Sequence, residues 1–211
     1  MTSKVKVCFI IPGNDFSMEF VKSWTSLVDS FKDFGVEASY VFGYCANIYQ
    51  VRSHTVRDAL QTDADYFMFI DSDTIFSTLD FYKLLNHNKD IVSGMVLPIG
   101  DSPTAYHKRD VTTCVSLEDK HISYSEAYDM DELIEVKHNG MAFMLVNREV
   151  FEVTKNPFTP IVNSRNGDDE ILGEDYSFQV KAFQNGYRSY VDTTLRLGHM
   201  KNLIISEIGE Y

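Results

Sequence analysis

Strand and helix patterns alternate along this chain, which predicts an α/β fold: a mostly parallel central sheet flanked by helices, with a small β/loop insertion. Two further observations agree. Tyr66-Phe67-Met68-Phe69-Ile70 is a continuous apolar run of strand length, the pattern of a strand buried on both faces of a parallel sheet. Asp71 and Asp73 follow directly, at the carboxyl end where open α/β sheets bind their ligands.

Val5 to Ile11 reads as the first strand, stopped by the turn signal Pro12-Gly13-Asn14. Phe20, Trp24, Leu27, Phe31 and Phe34 then recur at helical spacing, with Gly35 as a stop, and give an amphipathic helix whose stripe is core packing. Val36 to Phe42 is a second strand and Gln50 to Gln61 a second helix. The run at Tyr66 is the third strand, Leu79 to Leu85 a short helix, and Ile91 to Val96 a fourth strand. This order implies parallel pairing through right-handed crossovers. Gly100 to Lys137 is polar and acidic, with β-like pieces such as Val111 to Val115. Met141 to Val146 is a buried strand and Arg148 to Thr154 a short helix. Asn156 to Gly173, rich in Pro, Asn, Asp and Gly, reads as one long loop of the functional or mobile kind. Glu174 to Gln184 is a helix ending at Asn185-Gly186, and Tyr187 to Val191 a final strand. Repeats, low-complexity tracts and linkers are absent, so residues 1–211 are expected to form a single domain.

The formal charge of -12 argues against a surface that grips nucleic acid by counterion release, which needs a basic stripe. A nucleic-acid acceptor held by one local patch stays open, through Lys108, Arg109, Arg165, Arg188 and Arg196 if they gather on one face. The acidic balance also suits a pocket neutralised by a metal ion. No apolar run approaches the roughly 18 residues of a membrane-spanning helix. The N-terminus enters its strand without the apolar stretch of a secretory signal. Cys8, Cys45 and Cys114 are odd in number and widely spaced, which predicts reduced thiols and a cytoplasmic protein.

Three groups of residues carry chemistry. Asp71 and Asp73 offer hard oxygen ligands on one turn, suited to a divalent cation and through it to a diphosphate, although acids at a strand end also cap helices. Gly173-Glu174-Asp175-Tyr176 opens a helix after the long loop. Its acids complement the helix dipole, or one of them serves as a general base. Leu197-Gly198-His199-Met200-Lys201 lies just beyond the final strand. A lone His is usually structural, but beside two carboxylates it completes a mixed oxygen and nitrogen metal set.

In this order the residues resemble glycosyltransferases of the GT-A (Rossmann-like) fold, specifically small single-domain, family 2-like members from bacteria and bacteriophages. Val51-Arg52-Ser53 is similar to the family's segment ahead of the third strand, and Phe69-Ile70-Asp71-Ser72-Asp73 to its DxD signature. Asp90 to Gly94 resembles the strand that follows, and Gly140 to Arg148 the glycine-led strand with its trailing Arg. Gly173-Glu174-Asp175 resembles the xED motif, and Gly198-His199 the terminal metal His. Ser53 and Ala142 depart from the Asn and second Gly common in the family.

The resemblance implies transfer of a sugar from a nucleotide-diphosphate donor, a UDP-sugar first among them, with Mn2+ or Mg2+ as cofactor. Asp73 and His199 would ligate the metal, and Asp71 would share it or contact the ribose. Asp175 would be the catalytic base if the reaction inverts the anomeric carbon, with Glu174 beside it, and since enzymes of this fold run both ways the anomeric outcome stays open. Pro12, Gly13, Asn14, Ser72, Gly94 and Gly140 would bind the nucleotide sugar. Arg52 would pair with the diphosphate or a site carboxylate. Residues 1–99 would form the nucleotide-binding half and 100–211 the acceptor-side half. The acceptor stays open between a hydroxylated base in phage DNA and a glycan, and no membrane partner is implied. Two other readings stand beside this one. A nucleotidyltransferase acting on sugar phosphates would need a Gly-rich basic loop early in the chain, and Ile11 to Asp15 has one Gly and no Lys or Arg. A non-catalytic nucleotide-sugar-binding module would not need all of these acids and the His.

Overall fold

The computed structural model describes residues 4–96, 112–165 and 168–200. Val111, Lys108, Arg109, Lys201 and the side chain of Arg165 lie outside the described residues. The elements run β1 (Val5–Pro12), α1 (Met18–Phe34), β2 (Val36–Gly43), α2 (Ile48–Ala59), β3 (Tyr66–Ile70), β4 (Thr74–Ile75), α3 (Thr78–Asn86) and β5 (Ile91–Val96). After these come β6 (Thr112–Val115), β7 (His121–Ser123), α4 (Tyr124–Met130), β8 (Leu133–Val136), β9 (His138–Asn139), β10 (Phe143–Asn147) and α5 (Arg148–Val153). The last are β11 (Val162–Arg165), β12 (Asp168–Ile171), α6 (Glu174–Gln184) and β13 (Ser189–His199).

Among the described residues the main sheet has eight strands in the order β2-β1-β3-β10-β5-β13-β4, with β8 also on β13. β1 pairs in parallel with β2 and β3, and β13 in parallel with β5. The expected parallel run of four strands is corrected here. β10 enters antiparallel between β3 and β5, so those two strands never touch, and the sheet is mixed. A β11–β12 hairpin occupies part of the stretch expected to be one loop. β6, β7 and β9 form the small inserted sheet, braced by α4.

Alternate residues of the central strands feed two cores, which is why those strands read as unbroken apolar runs. Phe9, Met68, Ile70 and Phe143 face α1 and α3, where Phe20, Leu27, Phe31 and Phe81 are buried. Ile10, Phe67, Phe69 and Met144 face the other side with Val56, Phe151, Phe158 and Phe178. Phe151 and Phe178 stack with centroids 4.7 Å apart, fastening α5 to α6.

α1 starts at the Ser17 cap, whose hydroxyl accepts from the Phe20 N–H, and stops at Gly35 in the left-handed region at φ 70°. That conformation explains the glycine, since a Cβ there is disfavoured. The final strand is longer than expected because its register shifts between Asp192 and Arg196, after which pairing with β5 resumes. Asp192 anchors the irregular stretch. It is 1% exposed, accepts from Thr194 N and Oγ1, and contacts His87 Nε2 at 2.7 Å and Lys83 Nζ at 3.3 Å. No helix among the described residues is long and apolar enough to cross a membrane.

Candidate active site

The carboxyl ends of β1, β3 and β5 meet the start of α6 and the end of β13 on one side of the sheet. Asp71 N–H donates to Ala142 O at 2.9 Å and Thr74 N–H to Asp71 O at 3.0 Å, so the two acids sit on a tight turn locked to the chain entering β10. β4 then pairs with the end of β13, Thr74 against His199 and Ile75 against Gly198. A Cβ on Gly198 would come 2.9 Å from the Ile75 Cβ, so glycine permits this approach. Met200 N–H closes the join by donating to Asp73 O at 2.8 Å.

The outcome is a contact of 3.0 Å between His199 Nε2 and Asp73 Oδ2, with side-chain exposures of 20% and 38%. A carboxylate oxygen beside a largely buried imidazole is a donor pair of the right chemistry for Mn2+ or Mg2+. Asp71 turns away from this pair. No group of three His, Cys, Asp or Glu side chains among the described residues is close enough to hold a metal ion.

Asp71 faces Arg52 instead. Arg52 is 3% exposed on α2, with Nη2 at 3.2 Å from Asp71 Oδ1 and Nε at 3.1 Å from Glu174 Oε1. The guanidinium thus ties the DxD turn to the first turn of α6. Burial works against its charge, and Asp71, Glu174 and Asp175 more than compensate. Its Nη1 has no acceptor among the described residues. Burial raises the Asp71 carboxyl above the usual carboxylate range despite Arg52, with Asp73 and Glu174 adding to the rise. Asp175 is raised for the same first reason, with the Glu174 charge second. Such a carboxylate is better matched to taking a proton near neutral pH.

Around these residues the surface opens in three places. A recess of about 240 Å³ is lined by Pro12, Gly13, Tyr44, Cys45 and Asp71 to Asp73. A second, about 340 Å³, has Asn14, Asp15, Phe16, Ser72, Asp73 and Met200 on its walls. The largest of the three, about 410 Å³, is lined by Gly94, Gly140, Asp175 and His199, and by His138 and Tyr176. Asp73 therefore borders the first two and His199 the third. Gly13 takes φ 150°, and a Cβ there would lie 2.3 Å from Ser72 Oγ, so β1 and the DxD turn touch only because this residue is glycine. Gly94 is similarly confined, 2.9 Å from Leu197 Cδ1, whereas Gly140 has open space.

Every residue expected at the site lies on this side of the molecule, but the pairings differ from a simple acid–acid–His cluster. His138 carries no motif, and Tyr176 stands in the sequence only as the residue after Gly173-Glu174-Asp175, so no pattern singles out either ring. Their rings stack with centroids 3.8 Å apart and 21° between planes. Burial lowers His138 to about 4, helped by the charges of His121 and Lys137, so its ring is neutral at physiological pH.

No family model and no curated protein matches the chain at the sequence level. Solved structures do match. The crystal structure of A197 from STIV superposes with a TM-score of 0.62 at 18% identity, covering 94% of this chain and 87% of that one. The crystal structure of GalNAc-T7 with UDP, GalNAc and Mn2+ gives 0.52 at 10% identity over 96% of this chain. This chain spans only 45% of the GalNAc-T7 chain. At these identities the likeness is one of fold alone, a GT-A-like architecture.

Proposed function

We propose that this protein is a metal-dependent glycosyltransferase that moves a sugar from a nucleotide-diphosphate donor, a UDP-sugar, to a hydroxyl acceptor by inversion. The Asp73–His199 contact carries the reading, because it stands where two donor-side recesses meet the cavity that holds Asp175. The neighbour solved with UDP, GalNAc and Mn2+ supports the same choice of donor and cation.

Asp73 and His199 would hold Mn2+ or Mg2+, and Asp71, which faces Arg52 on the same turn, would meet the ribose. When bound, the cation neutralises charge gathering on the departing diphosphate. Pro12, Gly13 and Asn14 border the recesses offered to the nucleotide, and Gly140, with open space where a Cβ would stand, leaves room for the sugar on the cavity wall that Gly94 also lines. Asp175 takes the proton of the acceptor hydroxyl as its oxygen attacks the anomeric carbon, and Glu174 is held beside it by Arg52. Residues 1–99 then supply most of the nucleotide side and 100–211 the acceptor side of one domain. Cys8, Cys45 and Cys114 are all free thiols, which suits a cytoplasmic setting.

Asp73→Ala and His199→Ala should each abolish transfer while leaving thermal unfolding cooperative. Full activity in either variant refutes the site. Nucleotide sugars screened by thermal shift identify the donor. At a hundredfold excess over Kd the right one adds about 2.7 kcal/mol, or roughly 5–10 °C for a chain of this size, and only with metal present.

A further inference from the structure

Resting on that transferase reading, we propose that the acceptor is a neutral carbohydrate whose C–H face packs against the His138–Tyr176 ring pair in the largest cavity. The two rings come from separate elements, β9 and the first turn of α6, and they stack at 3.8 Å next to Asp175. A stacked, uncharged aromatic wall beside a single carboxylate is the chemistry that takes the apolar face of a pyranose and leaves its hydroxyls to polar groups. His138 stays neutral at physiological pH, so it contributes a ring and no charge.

The same cavity supplies those polar groups. Thr112 and Thr113 line it, together with Asn139. The Asn139 amide is oriented by donation from Nδ2 to Gly140 O at 2.9 Å and to Ser93 Oγ. Its Oδ1 therefore points the other way and finds no donor among the described residues, although Asn139 is only 4% exposed.

Among the described residues, charge favours a neutral ligand over a phosphate-bearing one. No Lys or Arg lines this cavity among the described residues. The nearby cations are already engaged: Lys137 with Asp119, Lys120 with Glu126, Arg188 with Glu135, and Arg196 with Asp131 and the Tyr128 ring. A nucleic-acid backbone entering here would meet the Asp175 carboxylate with no Lys or Arg on the described lining beside it.

Saturation-transfer NMR on the full chain with UDP and Mn2+ tests this, with the methyl glycosides of glucose, galactose, mannose and N-acetylhexosamines as probes. A short DNA duplex bearing hydroxymethylated pyrimidines is the competing probe. We expect saturation at pyranose C–H protons for at least one glycoside. Tyr176→Ala and His138→Ala should each weaken that binding about fivefold to tenfold, and His138→Phe, which keeps a ring, should restore it. Binding of the duplex alone, or glycoside affinity unchanged in both alanine variants, overturns the proposal. A wild-type protein that binds UDP with Mn2+ but no glycoside also overturns it, and leaves the transferase reading intact. Glycoside binding that depends on the rings, without any UDP binding, keeps the carbohydrate site and removes the transferase reading.

Discussion

Arg52→Ala is the substitution whose cost the structure defines best. The guanidinium is 3% exposed and faces Asp71 on one side and Glu174 on the other, so its removal strands two carboxylates at once. Breaking a buried ion pair by deleting one partner costs about 3–5 kcal/mol. Asp71 and Glu174 keep 29% and 15% of their side-chain surface, so water relieves part of this, leaving about 2–4 kcal/mol. For a chain of this length the melting temperature should fall by roughly 5–15 °C. Arg52→Lys should recover only part, because an ammonium cannot fork between both acids.

The pH dependence gives a second handle. Burial already holds the Asp71 carboxyl above its usual range, and Arg52 opposes that rise, so the variant's carboxyl climbs further. A carboxyl raised in the folded state contributes stability that is full below its unfolded value of about 3.9 and is lost as pH rises through its folded value. The deficit of Arg52→Ala should therefore be small in acid and grow toward neutrality. Urea unfolding across that range, with m-values compared, measures it. A loss below about 1 kcal/mol at neutral pH, the scale of a surface pair, or a deficit that shrinks as pH rises, refutes the reasoning.

Three further outcomes are expected. Gly13→Ala places a methyl group 2.3 Å from Ser72 Oγ at φ 150°, so it should cost about 1–3 kcal/mol and displace the DxD turn. Thermal shift with UDP and Mn2+ should then show a larger loss of ligand response than of stability. Asp192 is held below the usual carboxylate range. Burial opposes its charge, but hydrogen bonds from Thr194 and the contact with His87 outweigh it. Its contribution is present above the unfolded value and disappears as pH falls through the folded one, so Asp192→Asn should flatten the acid limb of stability against pH, read by denaturant titration. Phe178→Ala removes a fully buried ring from the α5–α6 contact and should cost about 3–5 kcal/mol in urea unfolding, with activity per folded molecule unchanged.

The long elements were legible in the sequence because each carries its own signal. The helical stripe from Phe20 to Phe34 with Gly35 gave α1, and the run from Tyr66 to Ile70 gave β3. Strand neighbours carry no such signal. The pattern of Phe143 to Asn147 says buried strand but not between which strands, so the antiparallel insertion of β10 was not readable. β11 and β12 escaped because Val162-Asn163-Ser164-Arg165 and Asp168-Asp169-Glu170-Ile171 lack an apolar face, despite the Asn166-Gly167 turn signal between them. The irregularity after Asp192 broke the alternation of β13 and made His199 look like a residue beyond the last strand. At the site, residue types and their order singled out residues that the fold gathers on one side of the sheet. That Arg52 would hold Asp71 and Glu174 depends on packing between α2 and α6, which no spacing encodes.

The position of β10 also sets the order in which this sheet is completed. Its two neighbours, β3 and β5, are synthesised well before it, and each must wait with an open edge at what becomes the middle of the sheet. Those edges are apolar, Phe67 to Ile70 on one side and Ile91-Val92 on the other. Until residues 143–147 emerge from the ribosome and dock, the nascent chain displays the kind of strand edge that other chains pair with. A chain stopped near residue 99 would keep both edges permanently, and should be recovered as aggregate rather than as a small folded half.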